Sequence, residues 1–359
     1  MNFIVSLFLV LIGYMMFPGI SGIVTIDQFW NNTAHFELVS KSRFEEYGMT
    51  AMNVGFHFVP RNGELFLFHR EYGFATPPDY CQSDYARIVV RKSTNRGETW
   101  SDPIVVASPG PEGAPDECAL TDGAGYYDEE TSTWHYLSQC LDRDGPWNLC
   151  HYYLVGIDDP TTYEGAWLVN EANPVVKGGD LWSQICNGDN KHCPPDTHDE
   201  GTPEIVKKDD QGYYFVTFHG CNKDATVSAR GVAKTMDFVT WETSGDDLPN
   251  DAIFGQIDCN TWNIGWVDGT CVGGGEGSIL YGPDGYMYQL IEAPDISLSC
   301  KGEGQNWVLG LTRSNVFSPA GTWEGMNPVP TMVPPTVQGC YIQYHRIFTD
   351  GKSTFLEYW

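Results

Sequence analysis

Residues 277–293 read GSILYGPDGYMYQLIEA: an apolar run, a Pro-Asp-Gly turn, then a second run rich in aromatic residues. The same plan recurs at GFHFVPRNGELFLFHREY (55–72), GAGYYDEETSTWHYLSQC (123–140), EIVKKDDQGYYFVTFHG (204–220) and HRIFTDGKSTFLEYW (345–359). A Gly marks the turn at Gly63, Gly212, Gly285 and Gly351, while the second copy turns through residues 128–132. Asn-Gly and Asp-Gly pairs between β-rich runs are the chemistry of tight hairpins, because both central residues must reach positive φ. A hairpin repeated along a chain cannot bury its apolar face alone, so neighbouring copies must pack on one another.

A second marker falls between the hairpins. Thr99-Trp100, Ala166-Trp167, Thr240-Trp241 and Thr322-Trp323 each end a turn and open a polar or Pro-rich outer segment. A large ring at a repeated position fills the wedge between splayed sheets. The two markers together predict an all-β chain folded as a five-bladed β-propeller, each blade beginning with the inner hairpin and closing on the Trp strand. The last copy ends at Trp359 without outer strands, so residues 34–44 are expected to complete it and close the ring. Residues 22–359 then form a single domain; a β-sandwich with coincidental periodicity is the competing fold.

Residues 1–21 contain no charged side chain, are apolar over 3–17, and place Gly19 and Ser21 at the −3 and −1 positions of a small-residue cleavage site. They read as a signal peptide, with an uncleaved anchor as the alternative, and the protein is expected to be secreted to the extracellular space. The sequon Asn31-Asn32-Thr33 suits that route. Most of the cysteines at 81, 118, 140, 150, 186, 193, 221, 259, 271, 300 and 340 are expected to pair in an oxidising compartment, the odd count leaving at least one unpaired or intermolecular, with Cys186–Cys193 and Cys259–Cys271 as local loops. No CxxC pattern supports a structural zinc site, and no metal site is assigned. With 20 basic and 47 acidic residues the chain carries −27, which repels phosphate backbones and anionic lipid. Nucleic acid and membrane are therefore excluded as partners, and a glycan or another small molecule is the expected one. No cofactor is required; acidic loops leave calcium as an option, without an EF-hand pattern.

The inner strands of a propeller line its channel, and side chains just before them converge at one mouth. Aligning the copies by their turns selects Glu276 after Gly273-Gly274-Gly275, Thr202 flanked by Asp199, Glu200 and Glu204, Asp122 with Asp116 and Glu117 upstream, and Asn53 and Val54 near His57. The last copy contributes Gln343, Tyr344, His345 and Arg346. Carboxylates from three blades at one mouth repel and are costly to desolvate, so they point to acid/base work by Glu276, Asp122 and Glu204. Solvated loop residues of an acidic chain are the plainer reading of the same positions. Aromatic candidates for stacking on a sugar ring are Tyr72, Phe74, Trp182 and Trp262; packing between blades is the alternative.

Glu276-Gly277-Ser278-Ile279-Leu280-Tyr281 followed by Gly285-Tyr286-Met287-Tyr288 resembles the general-acid segment of the family-43 glycoside hydrolases, where Glu-Gly-Pro leads a strand, a turn and a Gly-Tyr-Tyr strand. Residues 346–359 are similar to that family's last inner hairpin, which follows a central histidine. The resemblance implies inverting hydrolysis by paired carboxylates, with Glu276 as acid and Asp122 as base or as the group tuning the acid. Asn53 stands where that family has its Asp base, and the acid falls in the fourth copy instead of the third; Glu204 or Asp116 then becomes the substitute base. Asn53, Tyr344, His345, Arg346 and Trp262 are the expected substrate contacts.

Ser93-Thr94-Asn95-Arg96-Gly97-Glu98-Thr99-Trp100 is similar to the Asp-box of sialidases, with Asn for Asp. A sialidase, with Arg70, Arg346 and Tyr344 as its anion-binding groups, is thus one competing function. A calcium-dependent nucleotidase using His192, Asp196, His198 and Asp199 is another, and a non-catalytic carbohydrate-binding or interaction propeller is the third.

Overall fold

The computed structural model describes residues 6–13, 25–31, 33–42, 57–81, 85–143, 147–181, 200–220, 229–250, 252–253, 277–294, 307–319, 322–325, 346–349 and 354–357. The chain opens with β1 (Ser6–Gly13), α1 (Ile26–Trp30) and β2 (Ala34–Ser42). A first antiparallel sheet follows, β3 (His57–Arg61), β4 (Glu64–Tyr72), β5 (Ala86–Ser93) and β6 (Ile104–Ala107). The second is β7 (Ala119–Asp128), β8 (Thr133–Leu141), β9 (Asn148–Val155) and β10 (Leu168–Val169). The third is β11 (Glu200–Lys208), β12 (Tyr214–Gly220) and β13 (Ala229–Thr235). The fourth is β14 (Gly277–Tyr281), β15 (Met287–Pro294), β16 (Trp307–Ser314) and β17 (Glu324–Gly325). The last hairpin is β18 (Arg346–Thr349) and β19 (Thr354–Glu357).

Every repeated unit is an inner hairpin of a propeller sheet. The first turn has Asn62 at φ 53° and Gly63 at φ 80°, joining Arg61 opposite Glu64 as a two-residue hairpin requires. Innermost strands touch in succession, β3 to β7, β7 to β11, β11 to β14 and β14 to β18, and β18 touches β3.

Two expectations are corrected. Four sheets have the four strands of a full blade, so the expected five equal blades become four full blades and one three-stranded sheet. After β13 the outer strand is reduced to one bridge, in which Lys234 and Glu242 exchange N–H···O bonds of 2.9 Å. The chain there is drawn into a tight turn in which Asp237 Oδ1 accepts the Val239 and Thr240 N–H groups. The second correction concerns the last sheet, whose order is β18-β19-β1-β2. Residues 34–44 were expected to complete this unit, and β2 does lie in its sheet, but β1, which was not expected there, lies between, antiparallel to both β19 and β2. That arrangement makes β2 parallel to β19, so a strand of opposite direction is needed for an antiparallel ladder. The segment read as a signal peptide thus contains a strand of this sheet.

The core lies between sheets. Trp134 of β8 is fully buried and meets Phe66 (centroids 5.2 Å, edge-on) and Phe68 (5.9 Å) of β4. Trp167 meets Phe68 edge-on at 6.1 Å, and Trp241 Nε1 donates to Val175 O at 3.0 Å, so these two marker tryptophans do join adjacent sheets. Burying each such ring stabilises by about 1.5–3 kcal/mol. The turn resembling an Asp-box is structural: Ser93 Oγ accepts Gly97 N–H (2.8 Å) and Asn95 Oδ1 accepts Thr99 N–H (2.9 Å). The third sheet repeats it with Thr235 and Asp237. On the fourth sheet, Trp30 of α1 stacks under the Arg313 guanidinium at 4.5 Å and meets Tyr288 edge-on, anchoring the N-terminal segment. Among the described residues Cys81–Cys118 and Cys140–Cys150 are bonded; the Cys186–Cys193 and Cys259–Cys271 loops lie outside them.

Gly125 sits where β7 presses on the first sheet. Its N–H donates to His57 Nδ1 at 3.1 Å, and an added Cβ would lie 2.6 Å from the Phe68 ring. Gly125→Ala should therefore lower unfolding free energy by about 1–3 kcal/mol through overpacking. Chemical denaturation checks this; an unchanged midpoint would mean that the two sheets are not seated as described.

Candidate functional site at the entrance to the inner strands

The entrance ends of β7 and β11 carry the same irregularity. In β7 the ladder slips between Leu120 and Gly123, and in β11 between Gly201 and Glu204. Each bulge breaks the pairing of two residues, Thr121-Asp122 and Thr202-Pro203, and frees them to point away from their own ladder.

Asp122 projects from the first bulge toward the first sheet, where Arg70 Nη1 contacts its Oδ1 at 3.1 Å. Both side chains keep slight solvent access, 13% and 14%. Arg70 is in turn set by its neighbour: His69, fully buried, donates from Nδ1 to Arg70 O (2.9 Å) and accepts from Arg91 Nε at Nε2 (3.2 Å). Burial, reinforced by the Arg91 charge, pulls the His69 pKa down to about 3, so the imidazole is neutral and its tautomer is fixed by these two bonds. Cys81–Cys118 ties the loop after β4 to the segment entering β7, next to Asp122.

The second bulge is held more tightly. Thr202 has φ 36°, which is strained for a β-branched residue. Its N–H donates to Gln139 Oε1 of β8 (3.1 Å); its hydroxyl and carbonyl accept from the fully buried Arg230 at 3.1 and 3.0 Å. Arg230 also donates to Thr217 Oγ1 at 3.0 Å. Gly201 leaves room for Gln139, since a Cβ there would come 2.8 Å from Gln139 Oε1.

The sequence candidates separate in this frame. Asp122 lies at the entrance to β7, against the first sheet. Glu204 is 5% exposed and its Oε1 accepts the Ile279 N–H at 3.5 Å, so it turns toward the fourth sheet, away from Asp122. Asp116 is buried and accepts the Tyr152 hydroxyl at 2.6 Å; burial pushes its pKa up, against the pull of that bond. Glu117 accepts from Gly113 N and Arg143 N and serves the loop. Arg346 is described in its backbone alone, and Glu276, Asn53, Tyr344, His345 and Trp262 lie outside the described residues, as do His192, Asp196, His198 and Asp199. Arg70, offered as an anion-binding group, faces a carboxylate of the protein itself. Among the described residues no group of three or more His, Cys, Asp or Glu is arranged to hold a metal ion. No helix among them is long and apolar enough to cross a membrane.

One residue was named only as a neighbour of Thr202. Glu200 opens β11, paired with Gly220, and begins Glu200-Gly201-Thr202-Pro203, followed by a strand, a turn and Gly212-Tyr213-Tyr214. This matches the order Glu-Gly-Pro, strand, turn, Gly-Tyr-Tyr more fully than the segment at Glu276, and it stands in the third unit. The extra Thr202 hid the match, and the bulge absorbs it. The signal was present in Pro203 and Tyr213-Tyr214.

No protein-family model matches the chain, and no curated protein sequence matches it. Solved structures do share its fold. An α-L-arabinofuranosidase from Lactobacillus brevis superposes with a TM-score of 0.56 at 12% identity, covering 86% of this chain and 83% of that one. An endo-arabinase from Bacteroides thetaiotaomicron VPI-5482 gives 0.54 at 12% identity, over 85% and 88%. A thermostable family-43 glycoside hydrolase gives 0.52 at 13% identity, over 85% and 83%. At such identities the likeness is one of fold: the chain is an all-β propeller of the shape these glycoside hydrolases have.

Gln139→Leu would strip the acceptor from Thr202 N–H at a site that Arg230 also fills. The expected cost is about 1–3 kcal/mol, the penalty for a buried donor left without its partner. A urea midpoint identical to that of the unaltered protein would contradict the clamp.

Proposed function

We propose that the protein is a secreted glycoside hydrolase that cleaves a neutral glycan by carboxylate acid/base catalysis. What supports this reading is Asp122, a carboxylate beside the bulge at the entrance to β7, paired with Arg70 and still partly open to solvent. The shared fold supports it, since the similar structures include an arabinofuranosidase and an endo-arabinase. The propeller sheets are read as surrounding a channel that opens at the entrance to β7 and β11.

In the proposed reaction one carboxylic acid protonates the leaving oxygen while a carboxylate activates water. Glu200 and Glu276 are the two candidates for the acid, both being Glu-Gly pairs that lead an inner strand. Asp122 is the base, or the charge that tunes the acid. Glu204 is the weakest base of the set, because it is buried and committed to a backbone N–H. Arg70, which faces Asp122, is a poor receptor for a sialic carboxylate, and this disfavours a sialidase. No cofactor is part of the proposed reaction, with calcium as an option.

The alternative is a carbohydrate-binding propeller without turnover, favoured by Asn53 in the first unit, where an Asp base would stand. Incubating the purified protein with a panel of arabinans, xylans and 4-nitrophenyl glycosides, and separating products by chromatography, decides between them. Hydrolysis is expected, with Asp122→Asn and one of Glu200→Gln or Glu276→Gln reducing it by about 100-fold or more at unchanged thermal stability. Binding to glycans without product would establish the alternative, and full activity in all three variants would overturn the carboxylate assignment.

A further inference from the structure

Between the second and third sheets, remote from the mouth, five side chains form one hydrogen-bonded line. Ala172 N–H donates to Asn170 Oδ1 at 2.9 Å, which turns the amide so that Nδ2 faces His151 Nδ1 at 3.1 Å. His151 Nδ1 therefore accepts, and its proton is on Nε2, which meets His135 Nδ1 at 3.0 Å. His135 in turn holds its proton on Nε2, 3.3 Å from the Tyr214 oxygen. Tyr214 donates to Asp128 Oδ2 at 2.5 Å, and Lys208 Nζ sits 3.0 Å from the same oxygen. One backbone N–H thus orients the whole line, and every imidazole nitrogen is used.

Phe238 of the third sheet lies flat on both rings, 4.1 Å from His151 and 4.8 Å from His135. It does so at φ 55°, held there by Thr235 Oγ1, which accepts its N–H. A bulky side chain at positive φ is strained, and such strain persists only where surrounding contacts impose it. Tyr153 stacks near His151 as well, with ring centroids 5.7 Å apart.

We propose that the His135–His151 pair is an acid-operated latch, which holds the second and third sheets together while both rings are neutral and releases them when the pair takes up a proton. No ring nitrogen can accept a further proton without breaking the line. At His151 Nδ1 it would confront the Asn170 amide, and flipping that amide sets its NH2 against Ala172 N–H. At His135 Nδ1 it would confront the His151 N–H.

The ionisable groups around the pair are Asp128 and Tyr126 on β7, Glu130 in the turn, Tyr153 on β9, Lys208 on β11, Tyr214 on β12, and Asp237 in the turn bearing Phe238. Burial lowers the His135 pKa from 6.5 to about 4, with Asp128 opposing and Lys208 reinforcing; burial and His135 lower His151 as well. The folded state therefore binds fewer protons than the unfolded one across this window. The stabilisation is whole above the ordinary imidazole range and is lost as pH falls from about 6.5 toward about 4. Hydrogen bonds hold Asp128 well below the ordinary carboxylate range despite its burial, so its own protonation falls at lower pH.

Hydrogen–deuterium exchange of the full chain at pH 7.5 and 4.5, corrected for intrinsic rates, tests the latch. The fourth sheet, which has no histidine, is the internal reference. Opening of β8, β9, β12 and residues 235–241 is expected to rise at pH 4.5 by on the order of a hundred-fold relative to it. In the His135→Phe/His151→Phe double variant this pH dependence should vanish. Equal change in all sheets, or an unaltered pH dependence in the double variant, would overturn the proposal; should the variant not fold, the comparison of sheets in the unaltered protein decides alone.

Discussion

The innermost strand of each propeller sheet has one edge without a ladder partner, and the N–H groups along that edge still need acceptors. Here side chains of the preceding sheet supply them. His57 accepts from Gly125, Gln139 from Thr202, Glu204 from Ile279 and Ser278 from Ile347, over 3.1, 3.1, 3.5 and 3.0 Å. Each bond joins one sheet to the next at its innermost strand, while aromatic rings such as Trp134 fill the space between sheets. The lacing fixes how far neighbouring strands rotate, and with it where the bulges at Asp122 and Thr202 aim.

That pattern explains what could be read in the sequence and what could not. Hairpins were legible because Asn62-Gly63 and Gly285 have few alternatives: a turn position at positive φ selects its residue. Trp167 and Trp241 were legible because a large ring suits the wedge between sheets. Lacing was not, because any acceptor serves; His, Gln, Glu and Ser fill one role at four junctions. Glu204 therefore reads as a candidate base in the sequence and stands in the structure at a junction. The insertion of β1 beside β19 was equally hidden, since an apolar run of this length reads the same as a leader and as a buried strand.

The site shows the same division. Asp122 could be selected by counting back from a turn, but its partner Arg70 sits 52 residues earlier and on the neighbouring sheet. Glu200 escaped because Thr202 widens the spacing by one residue, and a bulge cannot be foreseen from spacing. Buried Arg230 stabilises that bulge: it donates to the Thr202 hydroxyl and carbonyl together, holding the strained backbone in place.

A crystal structure of the Asp122→Asn variant soaked with an oligosaccharide would test the central claim most directly, namely that chemistry happens where the bulged entrances of β7 and β11 meet the channel. The account predicts a sugar ring within hydrogen-bonding distance of residue 122, with Glu200 or Glu276 facing its glycosidic oxygen. A sugar seated on the outer strands or turns, with the mouth empty, would contradict it.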